Sequence, residues 1–367
     1  MKKELLMIPG PIEIHPEVMQ ELNQPIVPHY GEEWTRYYKE VLSRYKKIIG
    51  TKEDTFFVVG SGHAAIDAVV GSLLEEGDGV LVLNNGFFGQ RVGEIARSHR
   101  AQVEELKITW GKAFKVNMVK EILEEKGENL KAIFMVHNET STGIRNPIPE
   151  LVKLGREYGL LTFVDAVCSI GAEEYLMDKW GVDLTITAAQ KGIGAPPGIA
   201  MVSVGERAWE AIENRKKPPV GWYLNLETMR DFATKQSEWQ PYGITMPVNN
   251  IKALDKALEH IETEGLAERI GRHQKAGEFF RIELRNMGLE PLAEEGEACN
   301  AVTVVKNPVG CDSKRIIKAF NDEFDIKIAD GLGQCAGKMV RVGHMNLGAN
   351  KNSLLPVLGA FSEITRG

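Results

Sequence analysis

Lys191 sits where a run of β-branched and small residues, Thr185-Ile186-Thr187-Ala188-Ala189, gives way to the Gly/Pro-rich stretch Gly192 to Gly198. The run reads as a strand, and the stretch after it cannot continue a regular element. Strand ends that open into loops are where open α/β sheets build their sites. A lysine held there, away from a solvated helix face, loses its proton more cheaply and can act as an amine nucleophile. Taken alone, a surface charge is the commoner reading of any lysine.

Other segments carry complementary chemistry. Gly60-Ser61-Gly62-His63-Ala64-Ala65 follows an apolar strand and opens a helix, so its backbone N–H groups form a ready anion site suited to phosphate. The segment also matches a dinucleotide fingerprint, which needs an acid at the end of the next strand; here that strand ends in Asn84-Asn85. Asp165 ends the mostly apolar strand Leu161-Thr162-Phe163-Val164. A carboxylate there either caps the next segment or pairs with a protonated ring nitrogen, whose proton only a charge would hold. His137 to Gly143 reads as a polar strand-to-helix turn. Phe87 and Phe88, set between Gly86 and Gly89, offer a ring that could stack on a flat ligand. Arg341 alternates with Val340 and Val342, so its side chain points opposite to theirs; without other information it is equally a solvated edge arginine.

The elements that must position these groups alternate along the chain. Strands are expected at 55–59, 80–83, 103–108, 132–136, 161–164 and 185–189. Helices are expected at 32–49, from Gly62 onward, and at 94–100, 118–125 and 148–158. Alternation of this kind implies a mostly parallel sheet covered on both faces. Residues 16–250 are read as this large α/β domain. Beyond a hinge near residue 250, helices starting at Ile251 and after Gly265 precede short strands at 301–305, 326–329 and 339–342 and further helices at 313–321 and 353–364. Residues 1–15 and 251–367 are read as a smaller α+β domain with an N-terminal arm.

The net charge of −7 and the absence of basic blocks or aromatic RNA-binding motifs argue against a nucleic-acid partner. No apolar run reaches the roughly 18 residues of a membrane span, and no signal-peptide core is visible, so a cytoplasmic location is expected. Cys168, Cys299, Cys311 and Cys335 show neither CxxC pairing nor histidines at zinc spacing, so neither disulfides nor a metal site is expected.

Taken together, these segments resemble the class V, fold-type-I aminotransferases that use pyridoxal 5′-phosphate, in particular the alanine–glyoxylate and serine–pyruvate group. The resemblance runs from Pro9-Gly10-Pro11 through the segments above to Tyr242-Gly243-Ile244-Thr245 and Arg341-Val342-Gly343-His344. It implies a large domain with a mostly parallel seven-stranded sheet. It implies that Lys191 forms the Schiff base with the cofactor and shuttles the proton, and that Asp165 pairs with the pyridine nitrogen. Ser61, Gly62 and His63 would hold the phosphate, with Gln190 beside them. Thr140 would lie near the ring oxygen, Val167 would cover one ring face, and Phe88 would stack where relatives often carry Trp. Tyr242 and Thr245 would reach the phosphate of the neighbouring subunit's cofactor, which implies a homodimer with shared sites. Arg341 would clamp the substrate carboxylate, and Gly10 would lie in the arm lining the substrate pocket.

The activity implied is transfer of an amino group from alanine or serine to glyoxylate or pyruvate in ping-pong order. Alternatives within the superfamily are a 2-aminoethylphosphonate or pyridoxamine transaminase and, with Cys335 as thiol, a cysteine-desulfurase-like lyase. Desulfurases usually carry His immediately before the lysine, where this chain has Gln190. A binding-only relative would be free to lose Lys191, Asp165 or Arg341, and all three are present.

Overall fold

The computed structural model describes residues 4–366. Met1 to Lys3 and Gly367, which the sequence reading assigns to the small domain and its arm, lie outside the described residues. The central element is a seven-stranded sheet. Its strands are β1 (Asp54–Val59), β2 (Gly79–Asn84), β3 (Gln102–Lys107), β4 (Ala132–Val136), β5 (Leu161–Asp165), β6 (Leu184–Ala188) and β7 (Ile199–Val204), in the spatial order β1-β7-β6-β5-β4-β2-β3. All neighbours are parallel except β7, which runs antiparallel to both β6 and β1.

Strict alternation builds the two layers. Ile133 and Met135 of β4 enter one apolar cluster with Phe57, Val164 and Leu151, while Phe134 and Val136 enter the opposite one with Val58, Phe163 and Ile186. A sheet buried on both faces therefore reads as continuous apolar runs. On one face lie α1 (Glu32–Ile49) and α4 (Val248–Glu264); on the other lie α2 (Gly62–Leu73) and α3 (Phe87–Ser98).

Two features differ from expectation. No strand was expected at 199–204, yet β7 pairs with β6 along five residues. The connection between them, residues 189–198, carries no helix, and a parallel return needs a long crossover, so the chain turns straight back antiparallel. Helix α3 begins at Phe87 rather than Glu94, so the Phe87–Phe88 pair forms its first turn. Its first amides are satisfied by side chains distant in sequence: Phe87 N donates to Ser141 Oγ, and Phe88 N and Gly89 N donate to Glu139.

A third cluster gathers Phe280 and Leu284 of α5 (Leu266–Asn286) with Phe320, Val340, Val342, Phe361 and the N-terminal Met7. Its sheet has the order β8-β10-β9, with β8 (Val302–Lys306), β9 (Ala329–Asp330) and β10 (Met339–Gly343) all antiparallel. The expected strand at 326–329 divides in two: Ile326–Lys327 pairs instead with Leu5–Leu6, which ties the N-terminal arm to this region.

Candidate active site

The carboxyl ends of β1, β4, β5 and β6 converge on a cavity of about 130 Å³. Its walls include Ser61, Gly62, His63, Phe88, Thr140, Asp165, Val167, Gln190 and Lys191. Nine residues predicted from distant segments thus share one hollow. A larger hollow of about 670 Å³ is lined by Arg145 and Glu173, which pair with each other, and by Lys115 and Glu297, which pair likewise. Chemistry, rather than volume, singles out the smaller one.

Asp165 ends β5, 6% exposed. Among the described residues its carboxylate accepts one hydrogen bond, from Val167 N at 2.9 Å. Burial raises its pKa to about 7; the Val167 bond opposes this, the charge of Glu139 adds to it, and Lys191 opposes it. A buried carboxylate this poorly compensated is a site for a cation.

Lys191 follows the end of β6, and its Nζ donates to the carbonyl oxygen of Pro9 at 2.6 Å. The arm thus closes over the amine, and Gly10 rests on the lysine stem. Ser61 caps α2 without a side-chain bond of its own, at the helix end that opens into the cavity. A Cβ on Gly62 would lie 2.8 Å from Val167 Cγ2, so only glycine lets Val167 pack against the helix start. The rings of His63 and Phe88 are 6.5 Å apart, and burial, then Arg91 and Lys191, lower the His63 pKa.

Arg341 is 8% exposed on the central strand β10, not on an edge. Its Nε donates to Asp330 O at 2.7 Å, and among the described residues no carboxylate pairs with it. Burial lowers its pKa, with Cys168 and Glu139 nearby acting the other way. Tyr242 and Thr245 are not brought to this cavity. The Tyr242 hydroxyl accepts from Trp34 Nε1 and donates to His29 O, and Thr245 is exposed.

A family model for class-V aminotransferases matches residues 17–353. The chain belongs to the class-V aminotransferase family. It is 36% identical over 352 residues to an uncharacterized aminotransferase of Methanocaldococcus jannaschii, covering 96% of this chain and 90% of that protein. It is 31% identical to an L-aspartate–glyoxylate aminotransferase of Paracoccus denitrificans, covering 93% of this chain and 86% of the relative. Among solved structures, an alanine–glyoxylate aminotransferase from Nostoc sp. superposes with a TM-score of 0.95 at 33% identity, covering 100% of this chain and 96% of that one.

This class-V aminotransferase therefore has the fold-type-I architecture and acts as a transaminase. Its Cys335 is buried, and burial raises the thiol pKa, opposite to what a nucleophilic thiol needs. Four walls that sequence reasoning passed over are Ile66, Val136, Asn138 and Cys168. Also passed over is Arg269 of α5, 2% exposed, which donates to Gly171 O, Gly192 O and Asn346 Oδ1 and so braces the loop after Lys191. Nothing in its helical surroundings signals that contact. Among the described residues, no helix is long and apolar enough to cross a membrane.

Proposed function

We propose that this aminotransferase moves the amino group of a small amino acid, alanine or serine, to a 2-oxo acid such as glyoxylate or pyruvate, with pyridoxal 5′-phosphate as cofactor. The observation that carries the reading is Asp165, a buried carboxylate short of partners, in one cavity with the amine of Lys191. The residues present fit the cofactor. Beside Asp165, the buried acceptors Gln190 Oε1 and Asn138 Oδ1 have no partner among the described residues, and a helix N-terminus faces the same space.

When bound, the cofactor supplies a ring that takes up the electron pair released at the substrate α-carbon. Asp165 would hold a proton on the ring nitrogen. Lys191 would hold the cofactor and carry the proton at the α-carbon. Ser61, Gly62 and His63, with Gln190, would hold the phosphate, Val167 and Phe88 would cover the ring and Thr140 would meet its oxygen. Arg341 binds the substrate carboxylate, a match for two parallel N–H donors. No arginine is among the walls of the cavity itself, so Arg341 would meet the substrate carboxylate from outside them.

The same reading divides the chain into a large domain of residues 16–250 and a small domain of residues 1–15 with 251–367, with α4 of the latter packing on the large sheet. It also makes the enzyme a homodimer in which Tyr242 and Thr245 approach the partner's cofactor phosphate. Exposed apolar groups near Tyr242, namely Tyr30 and Trp239, support an interface there. Because Tyr242 already bonds within its own chain, Thr245 is the freer of the two.

The ping-pong order is tested by incubating the loaded enzyme with each amino acid and no acceptor. Alanine or serine should release one equivalent of its 2-oxo acid per subunit. Release only after acceptor is added would refute the order, and release from neither donor would refute the substrate class.

A further inference from the structure

Glu139 is a fully buried carboxylate with no assigned task, lying between two walls of the cavity, Asn138 and Thr140. Its Oε2 accepts from Phe88 N at 3.0 Å and Gly89 N at 2.9 Å. Its Oε1 accepts from Ser141 N at 3.1 Å and Ser141 Oγ at 2.6 Å. Ser141 Oγ in turn accepts from Phe87 N at 2.9 Å. Three successive amides at the start of α3 are thus held by one Glu–Ser pair from the end of β4. The approach is so close that a Cβ on Gly86 would strike the Glu139 side chain and come within 2.5 Å of Ser141 Oγ.

These donors and the positive end of the α3 dipole face the carboxylate and offset part of the cost of its burial. Burial raises the Glu139 pKa and the four bonds pull it back. A neutral residue would cap α3 with less desolvation, so a carboxylate here is a costly choice for structure alone. What it does hold is Phe88, which faces Asp165 and Lys191 in the same cavity, and the strand end that carries Thr140.

We propose that Glu139 is a positioning residue of the transamination site. Its carboxylate clamps the N-terminus of α3 to the end of β4 and so sets Phe88 and Thr140 relative to each other. This rests on the cofactor reading above. Asn138 and Thr140 alone would not fix the helix start, since neither bonds to it.

The test measures the pyridoxal 5′-phosphate dissociation constant by titrating cofactor-free protein, for the parent, E139Q, F88A and the E139Q/F88A double variant. The glutamine amide cannot accept from Phe88 N and Gly89 N while its oxygen faces Ser141, so E139Q should weaken binding on the order of tenfold to a hundredfold. If the clamp acts through Phe88, the double variant should bind about as weakly as E139Q, well short of the product of the two single effects. Amide exchange at Phe88 and Gly89 in the cofactor-free protein should accelerate in E139Q. Should E139Q fail to fold, S141A, which keeps the carboxylate and removes one of its donors and the Phe87 acceptor, should show the same pattern in weaker form.

A parent that takes no pyridoxal 5′-phosphate would sink the functional reading and the clamp together. A parent that binds it while the folded variants bind equally well would sink the clamp alone. Fully multiplicative effects would also overturn it, showing a helix cap with no link to Phe88.

Discussion

Gly10 and Lys191 occupy each other's space. A Cβ built on Gly10 would lie 2.5 Å from Lys191 Nζ and 2.6 Å from its Cδ, and the φ of Gly10 is +110°, where L side chains are strained. The arm can therefore cross the Lys191 amine without strain only as glycine. Gly10→Ala should displace the lysine and lower the transamination rate by about tenfold to a hundredfold, with a stability loss of about 1–3 kcal/mol. Steady-state rates beside a denaturation curve check this, and a parent-like rate would show that the arm yields without disturbing the amine.

Asp165 sets a pH signature in the cofactor-free protein. Its carboxyl titrates at about 7 when folded, against an ordinary 3.8, so between those values the folded chain keeps a proton that the unfolded chain has lost. Asp165 therefore makes stability fall as pH rises through that window. His137 and His344, whose burial lowers their pKa values to about 3, act in the opposite direction but are common to both proteins compared. Relative to the parent, Asp165→Asn should gain stability as pH is raised from 3.8 to 7, read from denaturation midpoints along a pH series. Parallel pH curves would mean the carboxyl is not buried as described.

In the loaded enzyme, the same Asp165→Asn change should raise the barrier by several kcal/mol, about a hundredfold or more in rate. The fold should persist, since one backbone bond from Val167 N is all the carboxylate accepts among the described residues. Near-parent turnover would remove Asp165 from its proposed role at the ring nitrogen.

Arg341→Lys keeps a charge at the buried position but loses the planar pair of donors. The KM for the amino acid should rise by about tenfold to a hundredfold while cofactor affinity holds, because Arg341 stands outside the walls of the small cavity. An unchanged KM would leave carboxylate binding to another group.

Trp239 is 57% exposed and stacks on Tyr30 with ring centroids 5.9 Å apart. If this face meets a second copy, Trp239→Glu should shift the protein toward monomer in light scattering and weaken cofactor retention. A wild-type protein that is monomeric at working concentration would end the shared-site reading.

What the sequence determined by itself is local and contiguous. The strand–turn–helix at Gly60 to Ala65, the lysine after β6, the aspartate ending β5 and the alternation of Val340 and Val342 around Arg341 each depend on a few adjacent residues, whose spacing dictates where side chains point. Tertiary structure alone decided which distant residues meet. That Gly10 makes room for Lys191, that Glu139 starts α3 seven residues early, that β7 runs backwards and that Arg341 is central instead of marginal all depend on packing between segments far apart in the chain. A buried carboxylate such as Glu139 looks in sequence like any polar turn residue, because its meaning lies in amides that only the folded chain brings within reach.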